Sequence, residues 1–358
     1  MSPRIPIKNL FYLLCYAWDV PELRTKIQVG GEECRSSCNF LAHVMVQVCE
    51  QIVKRGLLQE YRYQQVEVEG VRGKMNVAET LKSGRQRLGF TRCQVDEMSQ
   101  DVLINQIIYT TLLHLTGISD IDKAIVDRIR RVLRGFPRLR QIRITYETFD
   151  RVHLGRNNFY YKMAIQISKL LFRFTLPYSD NDKHLMFFDF TENEFKMNEL
   201  FEKFLMNFCK YHFTKDFSEI RRERIHFQLS PFGMMFKMAG DTLPVMETDI
   251  SLSNPTKGTK QIIDAKYYCE ALVSKYNAHE KIRRDHLSQI ISYVMNQEDP
   301  KKSHTMNASG TLIYPTVSED FDFSYRYKHT NHIIRVVTVN LNQDWQEIES
   351  RLKEIILT

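Results

Sequence analysis

Several features are missing from this 358-residue sequence, and each absence excludes a class of protein. No apolar run reaches the roughly 18 residues that a membrane-spanning helix needs. No G-x(4)-G-K-[ST] segment is present, so the chain does not bind a nucleotide through that phosphate loop. The 7 cysteines are scattered. Cys34 and Cys38 form one C-x(3)-C spacing, but no second Cys or His pair completes a zinc set, which predicts reduced thiols.

The N-terminus is apolar but does not have the arrangement of a secretory signal peptide. Its hydrophobic run is short, Lys8 and Asn9 precede it, and Trp18 and Asp19 follow it. Together with the missing membrane span, this predicts a soluble, cytoplasmic protein. The 50 Lys and Arg residues against 43 Asp and Glu give a net charge of +7. That mild excess suits contact with nucleic acid without being diagnostic of it.

The length predicts two domains, because a single hydrophobic core rarely grows beyond roughly 250 residues. The 43% hydrophobic and 11% aromatic content is enough for well-packed cores. No internal repeat or low-complexity linker marks the boundary, which we place just before a turn at residues 157–158. The predicted α/β chain therefore has a mixed helical and β N-terminal domain at residues 1–155 and an α/β C-terminal domain at residues 156–358.

The segment from Met246 to Tyr268 carries the main candidate site. Its apolar and polar residues alternate as in a half-buried strand, and residues 254–258 supply Asn, Pro and Gly for a turn before a return strand. Successive strand residues point to opposite faces, so Asp264 and Lys266 share a face. Asp249, on the partner strand, can join them across the ladder. The pattern therefore predicts a β-hairpin with two carboxylates and one ammonium on one face.

Two carboxylates beside an ammonium have a specific chemical use. Carboxylates supply the hard oxygen ligands of Mg²⁺, and we predict Asp249 and Asp264 as its ligands. The metal would neutralise phosphate charge and acidify a bound water, and Lys266 would orient that water. The spacing D-x(14)-D-x-K resembles the core of the PD-(D/E)xK, or restriction-endonuclease-like, nucleases. A surface hairpin that happens to carry an Asp–Lys pair is the alternative interpretation of these three residues.

Two flanking segments add to the candidate site. A helical pattern at 193–213 carries Glu199 and Glu202, and in many PD-(D/E)xK nucleases a glutamate from such a helix completes the metal site, although exposed helix glutamates are also common. After the hairpin, Gln289 and Tyr293 lie one turn apart on a helix face. They resemble the Q-x-x-x-Y element of the RecB-like branch, which braces the active site and contacts the DNA backbone. Residues 311–315 and 333–339 then predict two core strands, and residues 345–357 a closing helix.

The opening of the chain supports a narrower resemblance. Residues 5–20, IPIKNLFYLLCYAWDV, have the apolar period of a buried helix. They closely resemble the opening of the McrC family, the nuclease subunits of the McrBC modified-cytosine restriction systems. The D-x-L-x-N-x-I-I segment at 101–108, the E-T-D-I strand at 247–250 and the D-A-K-Y-Y strand at 264–268 resemble the same family.

A basic hairpin in the N-terminal half is the candidate partner-binding segment. Residues 61–68 alternate like a strand, and the G-x-[RK]-G at 70–73 leads into a second strand; this motif has a counterpart in McrC chains. Arg72 and Lys74 are either part of a solvated basic surface or, as the resemblance implies, part of a β-rich finger. In the family that finger projects into the pore of the partner ring and stimulates its GTPase.

The resemblance implies that the chain is a Mg²⁺-dependent DNA endonuclease subunit of a GTP-dependent complex. The complex would cut DNA that contains modified cytosine such as 5-methylcytosine, which implies a role in antiviral defence. An AAA+ GTPase ring resembling McrB would be the partner. Because one hairpin cuts one strand, double-strand cleavage predicts that two copies meet. One alternative is a nuclease-silent adaptor that activates the ring, which the intact Asp249, Asp264 and Lys266 disfavour. The other is a stand-alone RecB-like repair nuclease, which the opening motif disfavours.

Overall fold

A computed structural model describes residues 5–30, 36–155, 157–177, 185–230, 242–267, 272–273, 281–318 and 320–358. Cys34 and Tyr268 lie outside these ranges; Cys15, Cys38, Cys49, Cys93 and Cys209 are buried. The helices are α1 Ile7–Ala17, α2 Ser37–Arg55, α3 Val77–Ser83, α4 Leu103–Leu115, α5 Lys123–Leu133, α6 Tyr146–Asp150, α7 Phe159–Phe174, α8 Glu194–His212, α9 Arg284–Asn296 and α10 Trp345–Leu357. No helix in these ranges is long and apolar enough to cross a membrane.

The described residues contain both helices and strands, which confirms the predicted mixed α/β class. The strands are β1 Glu60–Glu69, β2 Lys74–Met75, β3 Phe90–Ser99, β4 Thr175–Pro177, β5 Leu185–Phe187, β6 Glu219–Arg221, β7 Arg224–His226, β8 Val245–Glu247, β9 Ile250–Asn254, β10 Thr259–Ala265, β11 Leu272–Val273, β12 Lys281–Ile282, β13 Ser309–Thr316, β14 Asp322–Arg326 and β15 Ile333–Asn340. They form several separate sheets.

The chain divides into two compact units at places that differ from the predicted boundary. One unit comprises Met1–Ser37 with Asp189–Thr358, and the other comprises Cys38–Phe188. The predicted boundary between residues 155 and 156 falls inside the second unit. The physical reason is packing between distant segments, since α1 packs against α8 in the first unit and α7 packs against α4 in the second.

The first unit is built on a six-stranded sheet with the order β14-β15-β13-β10-β9-β6. Strands β10, β13 and β15 run parallel, and β9 and β14 are antiparallel to their neighbours. Helix α9 packs on β13 and β10, which is possible because residue 310 is glycine. A Cβ on Gly310 would lie 2.7 Å from Ile290 Cγ1 and 2.8 Å from Val294 Cγ2. The glycine therefore sets how closely the helix approaches the sheet behind the hairpin.

The opening motif is a structural part of this same unit. Asn9 Nδ2 donates hydrogen bonds of 2.8 Å to both the Leu341 and the Gln343 carbonyl oxygens, at the end of β15. The hydroxyl of Tyr16 lies 2.8 Å from His212 Nε2, at the end of α8. These contacts join the first helix to the last strand and to α8, which explains why the polar Asn9 interrupts an apolar helix.

The second unit carries a β-ribbon that we call the finger, residues 60–99. Strands β1 and β3 pair antiparallel from Glu60–Ser99 to Glu69–Phe90, and β2 pairs with β3. Gly73 has φ +77°, and a Cβ there would lie 2.4 Å from the Gln94 carbonyl oxygen. Only glycine fits this turn, so the second glycine of G-x-[RK]-G is required by the backbone of the finger.

Candidate functional site

Strand register brings the three predicted catalytic residues together in the first unit. Ile250 pairs with Ile263, so Asp249 lies beside the end of β10. Asp249 Oδ2 accepts a hydrogen bond of 2.9 Å from the Ala265 N–H. Lys266 Nζ lies 3.0 Å from Asp264 Oδ2. Two carboxylates and one ammonium therefore converge at the C-terminal end of β10.

A β-bulge explains how Asp249 reaches this position. Arg221 pairs with Ser251, and Arg224 pairs with Glu247. Between these two pairs, one segment has two residues, 222 and 223, and the opposite segment has three, 248–250. The segment with Asp249 therefore contains one extra residue. A bulge of this kind interrupts the ladder and re-aims a side chain, and bulges recur beside active sites. Asp249 therefore lies outside the regular strand pairing, and its carboxylate accepts a hydrogen bond from the backbone of β10.

Burial controls the charge state of the two carboxyl groups. The Asp264 side chain is fully buried. Burial, reinforced by the neighbouring Asp249 carboxylate, raises the pKa of Asp264 to about 7. Burial also raises the pKa of Asp249. For Lys266 burial acts to lower the pKa, but the two carboxylates outweigh it and the net shift is upward, so the ammonium stays protonated at neutral pH.

The pair of carboxylates fits a divalent cation. Asp264 Oδ1 is buried and has no hydrogen-bond partner among the described residues, and the only charge partner at Oδ2 is the Lys266 ammonium. An uncompensated buried carboxylate is costly. In the ranges that the structure describes, no group of three His, Cys, Asp or Glu side chains could enclose a metal. Mg²⁺ usually takes one or two carboxylates with several waters, so Asp249 and Asp264 suffice for it.

Of the two glutamates predicted on α8, the structure brings one near this centre. Glu202 Oε1 accepts a hydrogen bond of 2.6 Å from Asn198 Nδ2, and Glu202 Oε2 accepts one of 3.0 Å from Arg222. Burial and the Asp249 carboxylate raise the pKa of Glu202. Asn198 Oδ1 in turn accepts a hydrogen bond of 2.8 Å from the N–H of Tyr267, directly after Lys266.

Glu199 is held elsewhere on the same helix. Its carboxylate lies 2.9 Å from Lys196 Nζ and 2.7 Å from Lys203 Nζ. Burial alone would raise the pKa of Glu199, but hydrogen bonds and charge from the two lysines outweigh it and lower the pKa to about 2. The structure therefore separates two glutamates that helical spacing left equivalent.

The predicted Gln289 and Tyr293 pair supports the bulged strand. Gln289 Nε2 donates to the Tyr293 hydroxyl at 2.7 Å, and that hydroxyl donates to the Glu247 carbonyl oxygen at 2.9 Å. Helix α9 is thereby attached to the backbone two residues before Asp249. A chain of hydrogen bonds therefore connects Gln289 and Tyr293 on the helix to the strand backbone at Glu247.

Two polar residues at the site were not predicted. Asn198 lies four residues before Glu202 on α8, so the helical period places both on one face, and that spacing was a usable signal. Arg222 belongs to a run of arginines at 221, 222 and 224, and nothing in the run distinguishes it from its neighbours. Only the contact with Glu202 does so.

The predicted partner-binding residues Arg72 and Lys74 lie in the second unit, on the finger. Both are exposed, and the Arg72 N–H donates to Cys93 Sγ at 3.4 Å. The finger also exposes large apolar side chains, namely Tyr61, Tyr63, Val71, Met75, Val77, Leu81, Leu88 and Met98. A surface that combines exposed apolar and basic side chains is typical of a protein interaction site.

Removing the Asp264 charge is expected to stabilise the metal-free protein. The folded-state pKa of about 7 lies above the ordinary aspartate value of 3.8, so the Asp264 carboxyl lowers stability progressively as the pH rises from about 4 to about 7, and the full cost is present above about pH 7. Asp264→Asn should therefore raise Tm in EDTA at about pH 8, by roughly 2–4 °C for each kcal/mol gained in the free energy of unfolding. The Tm difference between the variant and the wild type should be smaller near pH 5. Mg²⁺ should stabilise the wild type and not the variant.

The matched control for this measurement is Asp127→Asn, because Asp127 is an exposed aspartate that pairs with Arg130. Its Tm should match the wild-type value at both pH values, and Mg²⁺ should raise it as in the wild type, because Asp249 and Asp264 are unchanged. A lower Tm for Asp264→Asn in EDTA, or an equal response of the two variants to Mg²⁺, would contradict the assignment of a buried, metal-binding carboxylate.

Comparison with known proteins identifies the family. The sequence matches the family described as McrBC 5-methylcytosine restriction system component over residues 4–315. It is 30% identical over 354 residues to the Type IV methyl-directed restriction enzyme EcoKMcrBC of Escherichia coli (strain K12), covering 99% of this chain and 98% of that protein.

A solved structure shares the fold. It is a chain of the half-complex from the tetradecameric assembly of Thermococcus gammatolerans McrB AAA+ hexamers with bound McrC. The TM-score is 0.54 at 17% identity, and the match covers 98% of this chain and 76% of that one. The chain therefore belongs to the family of McrBC 5-methylcytosine restriction system components, which confirms the McrC resemblance predicted from its motifs.

Proposed function

We propose that this chain is the Mg²⁺-dependent DNA endonuclease subunit of a restriction complex that acts on modified cytosine. The observation that carries the proposal is the convergence of Asp249, Asp264 and Lys266 around a buried carboxylate oxygen without a hydrogen-bond partner. Membership of a 5-methylcytosine restriction family supports the biological setting. The PD-(D/E)xK assignment of the first unit belongs to the same proposal.

The residues take distinct roles in phosphodiester hydrolysis. Asp249 and Asp264 would hold Mg²⁺, which would supply positive charge against the phosphate and lower the pKa of the attacking water. Lys266 acts as a hydrogen-bond donor, because its raised pKa keeps it charged at neutral pH. Its ammonium orients the attacking water and stabilises the negative charge that develops on the phosphate oxygens. Gln289 and Tyr293 hold the strand that carries Asp249.

An AAA+ GTPase ring resembling McrB is the proposed partner. The related Thermococcus gammatolerans assembly contains McrB AAA+ hexamers with bound McrC. This chain has no G-x(4)-G-K-[ST] loop of its own. We assign stimulation of the partner GTPase to the finger, with Arg72 and Lys74 on its exposed surface. The contact surface is amphipathic, since apolar side chains such as Tyr61 and Val71 are exposed beside those basic residues.

Double-strand cleavage requires two nuclease centres. One hairpin holds one metal site and cuts one strand at a time, so a break in both strands needs a second copy of the chain. Self-association within the assembled complex is therefore part of the proposal.

The testing experiment measures cleavage of methylated and unmethylated plasmid at about physiological salt. Phosphate contacts alone give weak, sequence-blind binding, with Kd of roughly 10⁻⁴ to 10⁻⁶ M. The isolated chain should bind both plasmids alike and cleave poorly. Adding the ring partner with GTP and Mg²⁺ should produce cleavage of methylated plasmid only. Efficient methylation-dependent cutting by the chain alone would indicate a self-contained nuclease, and no cutting by the full complex would indicate a silent adaptor.

A further inference from the structure

Arg222 lies beside the candidate metal centre and has unused hydrogen-bonding capacity. It follows β6 and faces the bulge that contains Asp249. Its guanidinium donates to Glu202 Oε2 at 3.0 Å, and this is its only hydrogen bond within the described part of the chain. An arginine has five N–H donors in a planar fork, so most of them remain available to a ligand. The side chain of Arg222 is 47% exposed, against 19% for Glu202.

The guanidinium is attached to the centre through a continuous chain of hydrogen bonds. Glu202 Oε1 accepts from Asn198, and Asn198 accepts from the N–H of Tyr267, next to Lys266. Both carboxylate oxygens of Glu202 are therefore engaged in holding other groups. The chain links an exposed cation to the backbone that carries the catalytic lysine, so the two cations keep a defined spacing.

Stability does not account for this arrangement. An ion pair with one partner this exposed adds little to stability. The Arg222 guanidinium compensates the charge of Glu202, which is largely withdrawn from water, but that pairing does not use the remaining N–H donors of the arginine. A fixed, half-exposed arginine fork beside a phosphodiesterase centre matches the geometry of a phosphate group, which arginine binds with two parallel N–H donors.

We propose that Arg222 binds a backbone phosphate of the DNA next to the scissile phosphodiester, and that Glu202 and Asn198 are positioning residues that hold it there. This inference rests on the proposed nuclease function. It assigns Glu202 to the positioning of Arg222, because one oxygen of its carboxylate accepts a hydrogen bond from Arg222 and the other accepts one from Asn198.

The first test is Arg222→Gln in the assembled complex with ring partner, GTP and Mg²⁺. Loss of a charge-assisted contact should lower kcat/KM for cleavage about 10–100-fold, with most of the effect in KM. DNA binding is measured in parallel in an Asp264→Asn background, where nothing is cut. There the plot of the logarithm of the DNA-binding constant against the logarithm of salt concentration should become less steep by about 0.9, the value for one lost phosphate contact.

Arg221→Gln is the matched control, because Arg221 is the adjacent arginine, is 60% exposed and pairs with Glu219. It should keep the wild-type cleavage rate and salt slope. Glu202→Gln should weaken cleavage without changing the Mg²⁺ concentration for half-maximal rate, and adding Arg222→Gln to it should cause little further loss.

Three outcomes would overturn the inference. They are a wild-type salt slope for Arg222→Gln, equal losses for Arg221→Gln and Arg222→Gln, and a shifted Mg²⁺ requirement for Glu202→Gln, which would make Glu202 a metal ligand. If the wild-type complex cuts no DNA, the nuclease proposal fails, and the salt slope still decides whether Arg222 contacts phosphate.

Discussion

Asp264→Asn and Lys266→Ala are each expected to abolish Mg²⁺-dependent DNA cleavage by the complex while its GTPase activity stays near the wild-type level. Asp264→Asn removes the buried carboxylate that we propose as a metal ligand, and Lys266→Ala removes the proposed donor to the developing negative charge. Loss of one preorganised charged donor costs roughly 10²–10³-fold in rate, and loss of the metal should cost more. The measurement is the initial rate of plasmid linearisation, with GTP hydrolysis followed in the same reaction.

Lys257→Ala is the control for these variants, since Lys257 lies in the turn of the same hairpin and its side chain is 58% exposed. It should cleave at the wild-type rate. Circular dichroism shows whether each variant is folded. Normal cleavage by both folded site variants would refute the metal centre and favour the interpretation of Asp264 and Lys266 as a structural ion pair.

Replacing Arg72 and Lys74 together by alanine is expected to lower stimulation of the partner GTPase at least about tenfold. Both residues are exposed on the finger, and charge-assisted hydrogen bonds lost from an interface contribute about 1.5–3 kcal/mol each. The candidate metal site belongs to the other compact unit, so the double variant should still show the Mg²⁺-dependent rise in Tm. The measurement is GTP turnover by the ring partner as a function of added variant.

Lys82→Ala is the matched control within the finger, because Lys82 is a basic residue that is 74% exposed and pairs with Glu79. It should stimulate the GTPase like the wild type. The assignment of GTPase stimulation to the finger would be wrong if the double variant stimulated normally, or if folded Asp264→Asn lost stimulation instead.

The sequence by itself determined the features that depend on local periodicity. Strand residues alternate between faces, so Asp264 and Lys266 had to share one, and Tyr293 had to follow Gln289 by one helical turn. The core strands predicted at 311–315 and 333–339, and the closing helix at 345–357, are present. The opening motif was sufficient to indicate the family, because it is long and specific.

The tertiary structure alone decided the features that depend on contacts between distant segments. The bulge at Asp249 arises from a mismatch in pairing with residues 222 and 223, and no local pattern records it. The pairing of Glu202 with Arg222 depends on what α8 faces, whereas the lysines that pair with Glu199 lie one turn away on α8 itself.

The division into units was likewise invisible in the sequence, because α1 folds against α8, nearly two hundred residues away. A hydrophobic pattern shows that a helix is buried, and only packing shows what it is buried against. Phe195 illustrates the limit of such patterns, since it is a large apolar residue of α8 and is nevertheless 75% exposed at the first turn of that helix. Periodicity assigns a residue to a face, whereas the neighbouring elements determine where along the helix that face is covered.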